Sequence, residues 1–384
     1  MSDTAATRPT QPETDPGAPG APTLEERARV ALRGVTRWLG GRMPRTPEEE
    51  LRDLADIVAG LGDAGEWDRY GGRGPVEELE RRLAELLGKP SAVFFPSGIM
   101  AQQSMLRVWC DERGSRRVAL PGLSHLLHHE ADGPRLIHGF EFELLTDGPR
   151  VPQVADLDAI PGPLGAALLE LPLRDGGFLL PTWDELVVFS EGCRARGVPL
   201  HLDGARLWES QPHLGHPLAE IAALADSVYV SFYKGLAGLA GAALVGPEEQ
   251  LAQARTWRSR MGGTLFSLMP YAVAALRGLD AELPRMAGFH ARAVELSERL
   301  AARGIRVHPA TPHTNAFRVY VARDAEDLNE RMVVAMEREH VALTPTWRSA
   351  DVPGWARAEF QVGHSTMEWD LDEAVATFVR VFVD

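Results

Sequence analysis

Short apolar segments alternate with helical segments through the middle of the chain, and this alternation constrains the fold more than any other feature. Such segments are Ser91–Phe95, Ala166–Leu171, Val198–Leu202 and Ser227–Phe232. Continuous apolar strands separated by helices are typical of a parallel sheet that is covered on both faces. The run from Thr182 to Glu185 has a capping-box pattern, which predicts that a helix begins there. The sequence therefore predicts an α/β protein with a largely parallel sheet.

The two ends of the chain follow other patterns. Five prolines among small polar residues indicate a disordered tail over 1–25. A helical segment is predicted over 26–74, and a helix from Pro75 to the stop at Gly88 opens a large domain over 75–268. Amphipathic helices flank a few strands after Met269, which indicates a smaller α+β domain over 269–384. Further strands are predicted at Val118–Leu120, Leu136–Leu145, Ile305–His308, Ala316–Val321 and Ala358–Val362, and further helices at Glu48–Ala59, Gly98–Trp109, Ala287–Arg303, Ala325–Glu339 and Leu371–Val383.

Composition argues against several classes of protein. The net charge of −14 argues against a nucleic acid or an anionic membrane as the main partner. Two cysteines in 384 residues argue against a disulfide scaffold and against a cysteine-built zinc site, and no metal site is expected. The tail lacks the apolar core of a signal peptide, and no apolar run is long enough to span a bilayer. We therefore expect a cytoplasmic protein.

Reactive side chains follow three of the predicted strands. Asp203 and Arg206 come directly after one strand, Lys234 follows the next, and Ser97 and Gly98 stand between a third strand and a helix. In parallel sheets, ligands bind outside the carboxyl ends of the strands. A hydroxyl group at a helix N-terminus suits a phosphate, a buried carboxylate keeps a ring nitrogen protonated, and a primary amine forms a Schiff base. Together these groups predict a site for pyridoxal 5′-phosphate.

The scarcity of lysine supports this interpretation. Of the 40 basic residues, only Lys89 and Lys234 are lysines. Arginine cannot form a Schiff base at neutral pH because its guanidinium group stays protonated. Lys234 therefore has a chemical reason to be lysine, whereas Lys89 follows the end of a helix and is predicted to be a surface residue.

Four motifs occur in order along the chain: Phe95-Pro-Ser97-Gly98, Ser124-His125-Leu-Leu-His-His-Glu130, His201-Leu-Asp203-Gly-Ala-Arg206 and Ser231-Phe-Tyr-Lys234-Gly. They resemble motifs of the threonine aldolase and β-eliminating lyase family of fold-type I pyridoxal phosphate enzymes. The resemblance extends from about residue 62 to residue 276. It implies an aspartate aminotransferase-like large domain, a small C-terminal domain, an amino-acid substrate, and a homodimer or homotetramer with the active site at the subunit interface.

The resemblance also implies a role for each site residue. Lys234 holds the cofactor as a Schiff base, and Asp203 pairs with the pyridine nitrogen. His125 lies on the face of the ring and assists proton transfer from the β-hydroxyl group, while Arg206 binds near the ring and the substrate carboxylate. The implied reaction is retro-aldol cleavage of a β-hydroxy-α-amino acid to glycine and an aldehyde. The implied phosphate contacts are Ser97, Gly98 and Ser231.

The chain departs from the family pattern at positions that contact phosphate and substrate. Ile99 stands where the family has a threonine, and Phe266 and Phe360 stand where it has arginines. Together with Tyr233, these aromatic residues predict a bulkier or aromatic substrate side chain. Two alternatives stay open, namely β-elimination to a keto acid and ammonia, and cofactor binding without turnover. The unranked candidates to replace the missing arginines are Arg69, Arg73, Arg174, Arg258 and Arg260.

Overall fold

The computed structural model describes residues 22–61 and 66–384. Most of the predicted tail lies outside the described residues. Its last few residues include Thr23, which forms a reciprocal capping box with Glu26 and starts the helix Leu24–Ala31. This helix begins inside the segment predicted as tail, so the boundary at residue 25 was placed too late.

The strands form a large sheet of seven strands, a second sheet of four and a separate pair. The large sheet lies in the middle of the chain, and the second sheet lies in its C-terminal part. In chain order the strands are β1 (Arg37–Trp38), β2 (Ser91–Phe95), β3 (Arg117–Pro121), β4 (Glu141–Thr146), β5 (Ala166–Glu170), β6 (Leu200–Gly204), β7 (Ser227–Ser231), β8 (Ala242–Gly246), β9 (Arg306–His308), β10 (Ala316–Val321), β11 (Val341–Ala342), β12 (Arg348–Ser349) and β13 (Ala356–Gln361).

The large sheet is mostly parallel, as the alternating pattern predicted. Its strand order is β2-β8-β7-β6-β5-β3-β4, and only β8 runs against its neighbours. Because β8 is antiparallel to both β7 and β2, these two strands point the same way. Leu168 and Leu169 on β5 belong to two separate apolar clusters, so the sheet is buried on both faces. The carboxyl ends of β2, β5, β6 and β7 therefore meet at one edge.

Local signals in the sequence account for several helix starts. Thr46 and Glu49 form a reciprocal capping box, with Pro47 in the first turn. The predicted box between Thr182 and Glu185 is also present. In chain order the helices are α1 (Leu24–Ala31), α2 (Pro47–Gly60), α3 (Gly74–Leu86), α4 (Gly98–Arg113), α5 (His125–His128), α6 (Gly133–His138), α7 (Val154–Asp158), α8 (Trp183–Ala195), α9 (Leu207–Leu214), α10 (Leu218–Ala223), α11 (Glu248–Arg260), α12 (Met269–Ala281), α13 (Met286–Ala302), α14 (Ala325–Glu339), α15 (His364–Met367) and α16 (Leu371–Phe382).

The four-stranded sheet has the order β12-β13-β10-β9 and is antiparallel. Helix α13 packs on β9 and β10, and α16 packs on α13 and α14. Strand β13 alternates buried and part-exposed residues, so Phe360 faces the core while Glu359 and Gln361 face away from it. The parallel pair of β1 and β11 joins the N-terminal segment to this part of the protein.

Three features differ from the predicted elements. The apolar run 136–145 is divided, because α6 ends at His138 and Gly139 turns the chain in a left-handed conformation before β4 begins. Strand β8 was not predicted, since a short apolar run has no periodicity that separates a strand from a buried helical segment. Lys89 is half-buried rather than on the surface, and its Nζ donates to the carbonyl oxygen of Ala225. Among the described residues, none of the helices combines the length and apolar character needed to cross a membrane.

Candidate active site

A cleft of about 450 Å³ opens at the shared carboxyl edge of the large sheet. Parallel strands bring their carboxyl ends together, so residues far apart in the sequence meet at this edge. The structure therefore places most of the predicted site residues in one cleft. The predicted residues that line it are Gly98, His125, Asp203, Arg206 and Lys234.

Asp203, near the end of β6, is a buried carboxylate with 1% of its surface exposed. Gln102 Nε2 donates to Asp203 Oδ2 at 2.8 Å, and the Ala205 N–H group donates to Oδ1 at 3.0 Å. Donation to both oxygens fixes the orientation of the carboxyl group and stabilises its charge. A buried and oriented carboxylate is the partner that a protonated ring nitrogen requires.

Lys234 follows β7 and lines the same cleft. Burial lowers its pKa because it disfavours the charged ammonium group; the nearby Asp203 opposes this effect, and Arg206 adds to it. A lowered pKa increases the fraction of neutral amine, which is the nucleophilic form. Burial of Lys234 therefore favours the form of the amine that reacts with an aldehyde.

His125 begins the short helix α5 and borders the cleft. Its Nδ1 atom lies 3.2 Å from Glu130 Oε1, and Gln103 Nε2 donates to the other oxygen of Glu130 at 2.7 Å. The hydrogen bond to Glu130 raises the pKa of His125, against the opposing effect of burial. In neutral His125 this bond favours a proton on Nδ1 and leaves Nε2 as the acceptor nitrogen.

The turn between β2 and α4 places a helix N-terminus at the cleft. Ser97 is the N-cap residue; it is not itself a lining residue of the cleft, but it precedes the lining residue Gly98, and its hydroxyl group makes no capping bond to the helix. A Cβ atom at Gly98 would lie 2.1 Å from the hydroxyl oxygen of Tyr229, so this close approach requires glycine. The Ser97 hydroxyl group and the free N–H groups of the first turn form a donor set that suits a phosphate. Ile99, which replaces the family threonine, lines the same cleft.

Arg206 precedes α9, and two contacts hold its guanidinium group. Nη1 donates to Glu209 Oε1 at 3.2 Å and to Gln361 Oε1 at 3.5 Å. The Glu209 side chain is fully buried, and Arg206 Nε has no protein partner in the described part of the chain. The ion pair therefore uses only part of the guanidinium group and leaves N–H donors for a ligand.

Ser231 does not have the environment that was predicted for it. It is fully buried, and its hydroxyl group donates to the carbonyl oxygen of Ala205 at 2.8 Å. It is not among the residues that line the cleft. In the single chain the hydroxyl group is therefore bonded to the backbone between β6 and α9, and its contact with the phosphate stays a prediction.

The two phenylalanines predicted to contact the substrate also lie elsewhere. Phe360 is fully buried and stacks on Phe317, with ring centroids 5.3 Å apart. Phe266 is exposed and packs edge-on against Tyr70. Within one chain neither residue lines the cleft, so their contribution to substrate preference stays a prediction. Of the three aromatic residues named for this role, Tyr233 is the one that lines it.

Several residues of the cleft were not assigned a role from the sequence. Glu170, at the end of β5, accepts hydrogen bonds from the N–H groups of His125 and Arg174 at 3.0 and 3.2 Å. It carries the same signal that identified Asp203, a carboxylate at the end of an apolar strand. Gln102 and Tyr229 carry no such signal, because they reach the cleft from inside a helix and a strand.

These residues fit pyridoxal phosphate, the cofactor expected from the sequence. Ser97 and the first turn of α4 would hold its phosphate, Asp203 its ring nitrogen and Lys234 its aldehyde carbon, with His125 beside the ring. Two buried polar atoms in the cleft, Gln102 Oε1 and Arg206 Nε, lack partners within residues 22–61 and 66–384. Buried polar atoms are normally hydrogen-bonded, so these two atoms are available to a ligand or to water.

A model of the family described as beta-eliminating lyase matches residues 46–324. The chain belongs to the beta-eliminating lyase family. Among the relatives, the low-specificity L-threonine aldolase 1 of Arabidopsis thaliana is 32% identical over 256 residues, which cover 62% of this chain and 70% of that protein. The match confirms the resemblance that the four motifs indicated.

Solved structures of similar proteins share the fold over nearly the whole chain. A proposed aromatic amino acid beta-eliminating lyase/threonine aldolase from Exiguobacterium sp. 255-15 is 36% identical with a TM-score of 0.86, covering 93% of this chain and 100% of that chain. A proposed L-allo-threonine aldolase from Listeria monocytogenes is 35% identical with a TM-score of 0.85, covering 94% and 99%. The fold is thus that of the fold-type I pyridoxal phosphate enzymes, as predicted for a beta-eliminating lyase.

Proposed function

We propose that this protein is a pyridoxal phosphate-dependent lyase that cleaves the Cα–Cβ bond of a β-hydroxy-α-amino acid to give glycine and an aldehyde. One observation carries the proposal: Lys234, Asp203 and His125 line a single cleft. Bound pyridoxal phosphate supplies an electron-withdrawing ring that takes up the electron pair of the broken bond. Relatives from Arabidopsis thaliana and Escherichia coli are named low-specificity L-threonine aldolases, which agrees with this reaction.

Each of the three side chains has a separate task in this proposal. Lys234 Nζ carries the cofactor, and its lowered pKa keeps the amine reactive. The carboxylate of Asp203 holds a proton on the ring nitrogen. Neutral His125 accepts the proton of the substrate β-hydroxyl group at Nε2 while the Cα–Cβ bond breaks. Glu130 then stabilises the resulting imidazolium through its bond to Nδ1. Glycine forms when Cα takes up a proton, which balances the one that His125 accepted.

Product analysis tests this reaction. Holoenzyme is incubated with threonine, allo-threonine and phenylserine isomers, and glycine, aldehyde and ammonia are measured. We expect glycine and aldehyde in equal amounts and no ammonia. A keto acid and ammonia without glycine would show that the reaction is β-elimination, the second candidate, which the family name and the name of the Exiguobacterium relative favour. A coloured protein that forms neither set of products would support the remaining alternative, cofactor binding without turnover.

We infer a homodimer or homotetramer in the cytoplasm. Large apolar side chains are exposed at the cleft, namely those of Ile99 and Tyr233, and another exposed pair is formed by Tyr70 and Phe266. Exposed apolar groups that cluster, unlike single ones, are typical of surfaces that another chain covers. Light scattering after gel filtration should give twice or four times the mass of the chain, and a monomer would contradict the inference.

A further inference from the structure

Phenylalanine replaces both family arginines near the substrate, so the group that binds the substrate carboxylate in this chain is an open question. We propose that Arg174 binds the α-carboxylate group of the substrate, side by side with Arg206. This inference rests on the proposed function, because it requires an α-amino-acid substrate.

The charges in the cleft leave few places for an anion. Ionised carboxyl groups repel a substrate carboxylate, and the lining contains the carboxyl groups of Glu130 and Asp203 beside that of Glu170, whose raised pKa favours its neutral form. Lys234 is occupied by the cofactor in the proposed function. Arg174 and Arg206 are the arginines among the lining residues of the described chain.

Within one chain, the other arginines named from the sequence lie outside the cleft lining. None of Arg69, Arg73, Arg258 and Arg260 is a lining residue of the cleft. Arg258 is 2% exposed and donates to the carbonyl oxygen of Phe94 on β2. Arg260 lies over the ring of Trp257 on its own helix. The structure thus ranks Arg174 first among the five.

Strand β13 holds Arg174 and Arg206 next to each other. Glu359 Oε2 accepts from Arg174 Nη2 at 2.7 Å, and Gln361 Oε1 accepts from Arg206 Nη1 at 3.5 Å. Because side chains alternate along a strand, Glu359 and Gln361 point to the same side, roughly 7 Å apart. The two guanidinium groups therefore approach the cleft from adjacent positions, and guanidinium groups are well suited to carboxylate recognition.

The backbone at Arg174 is held firmly. Its N–H group donates to Glu170 Oε1, and its carbonyl oxygen accepts from the N–H group of Gly177 at 2.9 Å and from Arg318 Nη2 at 3.1 Å. Arg318 is 6% exposed and also donates to Glu359 Oε1 at 3.2 Å. Glu359 is therefore shared between two guanidinium groups.

The Arg174 side chain keeps capacity for a ligand. A longer contact of 3.7 Å joins Arg174 Nη1 to Asp175 Oδ1. The other oxygen of Asp175 lies 2.6 Å from His129 Nε2, so Asp175 is shared between Arg174 and His129. With 37% of its side chain exposed, Arg174 retains N–H donors that the protein does not use.

The inference is tested by the dissociation constants of glycine and glycinamide, read from the absorbance change of the bound cofactor in holoenzyme. Wild type should prefer glycine because only glycine carries the carboxylate. Arg174→Gln should weaken glycine binding by roughly 10- to 100-fold and change glycinamide binding by less than about threefold. Arg174→Lys should restore part of the preference. Arg357→Gln, on the same face of β13 but outside the cleft lining, should leave both constants unchanged.

Two results would overturn the inference. One is a glycine preference in Arg174→Gln equal to that of wild type. The other is equal weakening of glycine and glycinamide, which would indicate general distortion of the cleft; unfolding temperatures of the variants check for this. The binding assay needs no cleavage. If wild type fails to cleave any β-hydroxy amino acid but Arg174→Gln still loses the glycine preference, the proposed reaction is wrong and the assignment of Arg174 stands.

Discussion

Glu170 and Asp203 are register partners on the parallel strands β5 and β6, and both carboxyl groups line the active-site cleft. Asp203 is stabilised by an amide side chain and a backbone N–H group, whereas Glu170 accepts only from backbone N–H groups. Burial raises the pKa of Glu170, and the charge of Asp203 adds to this effect. Glu170 therefore keeps its proton at a pH where an exposed glutamate is ionised.

The raised pKa of Glu170 makes the stability of the cofactor-free protein depend on pH. The unfolded chain loses this proton near the ordinary glutamate pKa, and the folded protein loses it at higher pH. Between those values the folded state binds more protons, so the free energy of unfolding falls as pH rises. Because glutamine does not titrate, Glu170→Gln removes this decrease in the free energy of unfolding. Relative to wild type, the variant should gain stability progressively between about pH 5 and the folded-state pKa of about 8, by roughly 1 kcal/mol per pH unit, in urea unfolding.

The exposed Glu326 of α14 provides the matched control, and Glu326→Gln should not reproduce the gain in stability expected of Glu170→Gln. A constant difference between Glu170→Gln and wild type across this pH range would mean that Glu170 titrates in the folded protein as it does in the unfolded chain.

Lys234 is expected to be the residue that binds the cofactor covalently. Borohydride reduction of the holoenzyme should add the cofactor mass to the peptide that contains Lys234. Lys234→Arg should abolish this label and lower kcat by roughly 1000-fold or more, because a guanidinium group is not a nucleophile at neutral pH. The only other lysine of the chain supplies the control. Lys89→Arg should keep the label and the activity, and a label on Lys89 in wild type would contradict the assignment.

Gly98 is required by its contact with Tyr229. In Gly98→Ala the new Cβ atom would lie 2.1 Å from the Tyr229 hydroxyl oxygen and 2.7 Å from Cζ, so the tyrosine or the helix start must move. We expect a loss of about 1–3 kcal/mol in stability and weaker cofactor binding by equilibrium dialysis. Combining Gly98→Ala with Tyr229→Phe should recover part of the lost stability and part of the lost cofactor affinity.

Gly288 offers a matched glycine on the exposed side of α13, where a Cβ atom would meet nothing within 4 Å. Gly288→Ala should raise the stability by about 0.5–1 kcal/mol, because alanine is the better helix former. Similar effects of the two alanine substitutions would argue against a steric role for Tyr229.

Tyr233 is expected to influence which substrate side chain is preferred. It lines the cleft and is 47% exposed, so part of its ring is available to pack against an aromatic substrate group. Tyr233→Ala should lower kcat/KM for phenylserine relative to threonine by roughly tenfold. Leu136→Ala should leave this ratio unchanged, because Leu136 is an exposed apolar residue of α6 outside the lining. Faster cleavage of threonine than of phenylserine by wild type would contradict the preference for bulky substrates.

Much of the site was predictable because its chemistry follows the ends of strands. Asp203 and Lys234 come after apolar runs that can only be buried strands or helices. If the runs are parallel strands, the residues that follow them lie at the same edge of the sheet. The scarcity of lysine identified Lys234, and the motif around His125 identified the histidine of the cleft. The inferences for Asp203 and Lys234 need only the order of residues and the known geometry of parallel sheets, whereas His125 was identified by its resemblance to the family motif.

Other parts of the site depended on which way a side chain points and what it meets. Side chains alternate between the two faces of β13. Phe360 therefore packs in the core, whereas its neighbours Glu359 and Gln361 face Arg174 and Arg206. Likewise, Ser231 donates to the backbone at Ala205 because the chain after β6 passes beside it. Neither contact leaves a pattern in the sequence.

The sequence by itself therefore determined the α/β fold, the cofactor and the residues with reactive groups, since these follow from local periodicity and from functional groups that no other residue type supplies. The tertiary structure alone decided that Glu170 lies beside Asp203, that Gly98 must admit Tyr229, and that Arg174 lines the cleft. These are distances between residues remote in sequence, and they are set by strand register and packing, which only the folded chain defines.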